Sequence, residues 1–238
     1  MNSLIVNYTQ HAELPVAVVT GGTSGIGLAI VHELAADHLV YAIGRDDKKI
    51  KDLENKTNII PIKLDLIDKK EREKFFRNIN KINVLVHSAA NLEKISIENS
   101  DYDLWQKVFN INVFVPAEVT RLSLHKLREH LGQVIFINSG AGQRGIAGHT
   151  VYVASKFALR GIADSLRLEE AAAGIRVATI YPGPTKNINK KEYKDKKLKW
   201  RESEARDHAK AVRIIVDIGN NTQISEISVR PRIDYDVE

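Results

Sequence analysis

The feature that most restricts how this chain can fold is an alternation: seven short apolar runs separated by longer stretches of helical periodicity. The runs are Val16 to Thr20, Leu39 to Ile43, Ile59 to Ile62, Ile82 to His87, Val134 to Asn138, Ile175 to Tyr181 and Ile224 to Val229. They are close to continuous in apolar residues, the pattern of parallel strands buried on both faces. Between them, Ile26 to Ala36, Asp47 to Leu53, Lys69 to Ile79, Tyr102 to His130, Tyr152 to Ala173 and Glu204 to Ile218 predict six helices. Because strand-crossover-strand connections are right-handed, this order predicts an α/β fold: one doubly wound, seven-stranded parallel sheet with helices on both faces. No repeat, low-complexity linker or composition break divides the chain, so residues 1–238 read as a single domain.

Composition narrows the function classes. A chain of 238 residues with 43% hydrophobic side chains can form a core without a staple. The absence of cysteine excludes disulfides, thiol nucleophiles and iron–sulfur clusters. It fits a reducing cytoplasm, and we expect a cytoplasmic protein. No apolar run reaches the roughly 18 residues of a membrane span, and Met1 to Pro15 lacks the basic and hydrophobic regions of a leader. No His-Glu-x-x-His or clustered His/Asp pattern is present, so no metal site is expected.

The net charge of +5 is unevenly spread: Lys186 to Arg201 holds eight basic and two acidic residues, leaving the rest slightly acidic. The broad basic footprint of a nucleic-acid binder is absent, and no such partner is expected. The segment 186–203 has two main readings. One is a basic lid that attracts an anionic ligand; the other is a solvated surface loop, which mutual repulsion of its charges favours. Contact with a membrane or nucleic acid through Tyr193 and Trp200 is a third.

Directly after the first strand run comes Thr20-Gly21-Gly22-Thr23-Ser24-Gly25-Ile26-Gly27, opening into the first helix. Glycines let a backbone turn tightly and approach a pyrophosphate, and a helix N-terminus offers free N–H groups and partial positive charge to the anion. A plain glycine-rich turn is the alternative, but a strand before and a helix after favour a dinucleotide site. A second constellation is Tyr152-Val153-Ala154-Ser155-Lys156, with Tyr and Lys on one helix face. A nearby ammonium favours the phenolate and lowers the phenol pKa from about 10, giving a usable acid/base. Ser139, at the end of the fifth strand run, falls on the same carboxyl edge of the sheet.

The spacing T-G-x-x-x-G-x-G, with Ser139, Tyr152 and Lys156, resembles the short-chain dehydrogenase/reductase family, whose NAD(P)-binding Rossmann domain is of about this length. The resemblance runs from Val16 to Pro231. It implies hydride transfer between a nicotinamide and a carbonyl or alcohol carbon of a small substrate. Ser139 would hydrogen-bond the carbonyl, Tyr152 would donate the proton, and Lys156 would lower the Tyr152 pKa and hold the nicotinamide ribose. Asn112 matches the family's asparagine that anchors a proton-carrying water; a mid-helix packing partner is the alternative, and Asn110 competes for the role.

The same resemblance assigns the cofactor contacts. Gly21, Thr23, Ser24, Gly25, Ile26 and Gly27 would cradle the pyrophosphate, and Asp65 with Leu66 would meet the adenine, unless Asp65 caps the next helix. Ser88, Ala89 and Ala90 follow the fourth strand run, where His87-Ser88-Ala89-Ala90 replaces the family's Asn-Asn-Ala-Gly. Pro182, Gly183 and Thr185 would lie by the nicotinamide, with Asn187 in place of a common threonine. Gly44 stands where NAD users carry aspartate, and Arg45 follows with a guanidinium suited to a 2′-phosphate, so NADP(H) is favoured over NAD(H). A helix-start charge paired with Asp46 or Asp47 is the other reading of Arg45. His149 reads as a loop residue. The two long helical stretches imply a homodimer or homotetramer. An NADP(H)-binding sensor without turnover is the alternative function.

Overall fold

The structure is a computed structural model that describes residues 14–186 and 202–233. Asn187 and the basic stretch Lys190 to Arg201, with Tyr193 and Trp200, lie outside the described residues. Seven strands form one sheet: β1 (Val16–Thr20), β2 (Leu39–Gly44), β3 (Ile59–Lys63), β4 (Val84–His87), β5 (Gln133–Ile137), β6 (Arg176–Pro182) and β7 (Glu226–Val229). Their order is β3-β2-β1-β4-β5-β6-β7, and every pairing is parallel.

Side-chain alternation along the strands splits the apolar residues into two cores. Val16 and Val18 of β1 face one side with Leu85, Val134, Phe136 and Val177. Ala17 and Val19 face the other with Val86, Ile135, Ile137 and Ile180. The first core is closed by α3 (Lys69–Asn78), α5 (Val115–Glu129) and α6 (Thr150–Glu169), and the second by α1 (Gly25–Leu34), α2 (Asp47–Leu53) and α7 (Ala205–Asp217). Strands β1, β4 and β5 are buried throughout, which is why their sequences carry no polar alternation. At the edge of the sheet, β3 carries Pro61, a residue that cannot donate to a further strand.

The stretch expected as one helix from Tyr102 to His130 is three elements. After α4 (Tyr102–Phe109), whose N-cap Asp101 accepts from the Leu104 N–H, the chain makes a π-helical turn at Asn110–Phe114 before α5 begins. The Val115 N–H reaches the Asn110 carbonyl, five residues back. Pro116 supplies the reason: it has no N–H for the Asn112 carbonyl, and its ring excludes the regular α-helical approach. The other helices fall within a residue or two of their expected bounds, and Tyr152 to Ala173 becomes α6 plus a 3-10 turn at Ala171–Ala173.

From β1 the chain builds outward to β2 and β3, then crosses back to place β4 on the other side of β1. Loops leaving the carboxyl ends of β1 and β4 therefore diverge and open a crevice, the position where such sheets take ligands.

Candidate active site

A cleft of about 1530 Å³ runs along that carboxyl edge, larger than the usual pocket for a drug-sized molecule. Gly21, Thr23, Ser24, Gly25, Ile26, Gly27, Arg45, Asp65, Leu66, Ser88, Ala89, Ala90, Ser139, Tyr152, Lys156, Pro182, Gly183 and Thr185 all line it. Asn112 alone among the expected site residues stands behind the wall.

At the β1 end the backbone is shaped for an anion. Gly21 has φ +66°, and a Cβ there would come within 2.8 Å of the Ala89 backbone, so only glycine lets the β1 and β4 tips meet. The buried Thr20 hydroxyl holds this junction by accepting from the Ser88 and Ala89 N–H groups at 3.1 and 3.4 Å. Ser24, the N-cap of α1, makes no side-chain capping bond, whereas Asp46, Asp68 and Asp101 each satisfy the N-termini of their helices. The first N–H groups of α1 are thus left to a ligand, and its first turn carries no acid to repel an anion. These features fit a dinucleotide pyrophosphate.

At the β2 end, Gly44 packs against Thr23 so closely that a Cβ there would lie 2.2 Å from Thr23 Oγ1. Arg45 is 71% exposed, with Asp65 at 3.9 Å, a separation and exposure that make a weak pair. The expected alternative fails: Asp46 accepts from the Lys48 and Lys49 N–H groups, and Asp47 pairs with Lys63 at 2.7 Å. Asp65 accepts from the Ile67 N–H, while the cap of α3 is Asp68. Lys49, one turn beyond Arg45, lines the same end of the cleft. Sequence reasoning passed over it, although an i, i+4 pair of cations was visible.

At the β5 end, Ser139 Oγ accepts from the Ala141 N–H at 3.1 Å and interacts with the Tyr152 hydroxyl. Lys156, 1% exposed, donates to the Ile137 carbonyl at 3.2 Å, with Nζ 5.7 Å from the centre of the Tyr152 ring. The expected direction of the phenol shift is reversed. Burial pushes the Tyr152 phenol up and outweighs the lowering by Ser139; burial also pulls the Lys156 ammonium down to about 8.

Two buried amides hold α6 in phase. Asn112, in the π-helical turn, donates to the Asn91 carbonyl and to Ser155 Oγ at 2.9 Å each and accepts from the Asn91 N–H at 2.7 Å. Ser155 in turn donates to the Tyr152 carbonyl at 2.7 Å. Asn138 donates to the Lys156 carbonyl at 3.1 Å. Asn112, not Asn110, is therefore the tie behind the Tyr152 and Lys156 pair, and Asn138 is a second tie that the sequence did not reveal.

His87, where the family carries an asparagine, does not line the cleft, whereas Ser88 does. His87 stacks on Phe136 at 4.9 Å and bonds to Thr120 at 2.9 Å, with burial holding it neutral at a pKa of about 3. Thr185 donates to the Gly183 carbonyl at 3.0 Å and bonds to the buried His208 at 2.8 Å, a contact from α7 that spacing could not show. His149 lines the cleft as the N-cap of α6, its Nδ1 3.0 Å from the Ala147 carbonyl. Among the described residues no helix is long and apolar enough to cross a membrane, and no cluster of three metal-ligating side chains occurs.

A family model described as short chain dehydrogenase matches residues 15–198. A solved short-chain dehydrogenase/reductase from Corynebacterium glutamicum is 36% identical, with a TM-score of 0.71, covering 91% of this chain and 99% of that one. A metagenomic short-chain oxidoreductase in complex with NADP is 25% identical, with a TM-score of 0.80, covering 92% and 98%. Among curated proteins, 3-dehydrosphinganine reductase of Danio rerio is 30% identical over 188 residues, 71% of this chain and 55% of its own. The chain thus spans about half the length of that relative.

Proposed function

The chain belongs to the short-chain dehydrogenase/reductase family, and from that membership we propose that it is an NADP(H)-dependent oxidoreductase acting on a small carbonyl or alcohol. The observation that carries the reading is the convergence of Ser139, Tyr152 and Lys156 on one stretch of the cleft whose other end is shaped for a pyrophosphate.

The loop Gly21 to Gly27 and the first turn of α1 would hold the pyrophosphate, Asp65 and Leu66 the adenine, and Pro182 to Thr185 the carboxamide. Arg45, with Lys49 beside it, favours a 2′-phosphate, and Gly44 offers no carboxylate to oppose one. When bound, the nicotinamide supplies hydride to a carbonyl carbon or takes it from an alcohol.

Ser139 donates to the substrate oxygen and fixes it beside the Tyr152 hydroxyl. Tyr152 delivers the proton as negative charge develops there. The burial that raises the Tyr152 pKa disfavours the free phenolate, so the proton leaves only where a charged acceptor or cation compensates. Lys156 supplies that cation over the Tyr152 ring, and its own pKa near 8 lets it accept and pass on protons close to neutrality. Asn112 serves as a positioning residue. Pro116 leaves the Asn112 carbonyl without its helical donor, which suits the water-anchoring role expected of it.

The homodimer or homotetramer is part of the proposal, tested by light scattering. The reductase reading is tested with Tyr152→Phe. NADPH binding, followed by fluorescence, should survive while turnover of a panel of aldehydes, ketones and quinones falls by about 10³ or more, as for loss of a general acid. Tight NADPH binding with no turnover by the parent chain would replace the enzyme with a sensor.

A further inference from the structure

Resting on the cofactor reading above, we propose that His208 is a positioning residue for the nicotinamide end of the cleft: it fixes the turn Pro182 to Thr185 that would hold the carboxamide, and so sets affinity for the nicotinamide half of the dinucleotide. His208 lies in the first turn of α7, which is locked by the reciprocal bonds of Glu204 and Asp207. Its side chain is fully buried and reaches Thr185 Oγ1 at 2.8 Å. Thr185 has one hydroxyl proton and gives it to the Gly183 carbonyl at 3.0 Å. His208 Nε2 therefore carries the hydrogen and donates, which makes a relay from α7 through Thr185 to Gly183. Burial agrees with this assignment, because it keeps the imidazole neutral, with a pKa pulled down to about 4 and a single N–H to give.

The other bonds of this turn leave one donor over. Pro182 and Pro184 have no N–H, and the Gly183 N–H donates to the Val229 carbonyl of β7 at 2.8 Å. Thr185 forms a parallel bridge with Ser203, in which the Ser203 N–H donates to the Pro184 carbonyl and the Lys186 N–H to the Ser203 carbonyl, each at 2.8 Å. The residues flanking Thr185 make those bonds, so its own N–H points away from Ser203. Thr185 lines the cleft, and its hydroxyl is engaged on both sides. Its backbone N–H is thus the donor that the turn can offer a carboxamide oxygen, and His208 holds it in place through the side chain of the same residue. The arrangement carries a cost: His208 Nδ1 is buried without a partner among the described residues. What the imidazole contributes at this place that an aliphatic side chain would not is the bond to Thr185.

The test is calorimetry on the full chain with NADPH and NADH, each set against the matching 2′-phospho-ADP-ribose or ADP-ribose, which lacks the nicotinamide. His208→Leu should weaken whichever dinucleotide the parent binds by about five- to tenfold, the scale of one hydrogen bond, and leave its ADP-ribose counterpart within about twofold. His208→Gln, whose amide nitrogen can stand in for Nε2, should restore most of the loss. Thr185→Val should weaken the dinucleotide in the same selective way, and adding His208→Leu to it should change little more. Circular dichroism and urea unfolding check each variant; where leucine unfolds the chain, His208→Asn, with an amide too short for Thr185, takes its place. In folded variants, equal losses for dinucleotide and ADP-ribose compound, no loss for either, or additive effects of the two substitutions overturn the proposal and leave the reductase standing. A parent chain that binds none of the four compounds sinks the reductase reading itself, and the proposal with it.

Discussion

Replacing the buried amine of Lys156 with a thioether of similar length should stabilise the protein while destroying its chemistry. The ammonium is fully buried, and its pKa falls from the ordinary 10.5 to about 8, so its charged form is disfavoured in the fold by about 3 kcal/mol. Lys156→Met removes that penalty but loses the bond to the Ile137 carbonyl, which gives back about 1 to 2 kcal/mol. The net gain at pH 7 is about 1 to 2 kcal/mol, or a rise of roughly 2 to 8 °C in Tm for a chain of this size. The sign with pH follows from proton counting. Below pH 8 folded and unfolded chains both hold the proton and the penalty is constant. Between 8 and 10.5 the unfolded chain alone holds it, so wild-type stability rises with pH and overtakes the variant. Urea unfolding of both proteins without cofactor at pH 6.5, 8 and 9.5 reads this directly, and turnover should fall by 10² or more. A variant less stable than wild type at pH 6.5, or a stability difference that stays flat across the three pH values, would refute the reasoning.

Three further outcomes are expected. Arg45→Asp should weaken NADPH binding at least tenfold against NADH by fluorescence titration, and Lys49→Gln should do the same to a lesser degree; unchanged ratios would remove the 2′-phosphate from that end of the cleft. Asn112→Ala leaves the Asn91 N–H and carbonyl and Ser155 short of partners, and should cost about 2 to 4 kcal/mol in urea unfolding together with a loss of kcat. Gly44→Ala should destabilise through its collision with Thr23, and Gly44→Ala with Thr23→Ala should recover only part of the loss, because the Thr23 Cβ itself would lie 2.8 Å from the new methyl; the coupling should be about 1 kcal/mol or more in a double-mutant cycle.

The sheet was readable because its central strands are buried on both faces, so Val16 to Thr20 and Val134 to Ile137 announce themselves as continuous apolar runs. The cleft was readable because glycine loops and the Tyr152 and Lys156 pair depend on spacing within one element. What escaped depends on contacts between elements far apart in sequence. Asn138 meets Lys156 across 18 residues, and Thr185 meets His208 across 23. The sign of the Tyr152 shift escaped for a related reason: proximity to an ammonium can be inferred from i, i+4 spacing, but burial cannot. The break in the long helix was signalled by Pro116, which a periodicity reading carried through without weighing its missing donor.

That break has a consequence for how this chain tolerates changes in length. A π-helical turn holds one residue more than the α-helix on either side, and each α-helical residue advances the phase by about 100°. Deleting a single residue between Asn110 and Phe114 would remove that extra residue and its phase offset, while Pro116 would still keep the joint from becoming regular α-helix. The same deletion would swing the Asn112 amide more than a quarter of a revolution away from Asn91 and Ser155. At this place the chain keeps its register with Tyr152 by counting residues, so a one-residue indel would act there as a frame error that no compensating side chain nearby repairs.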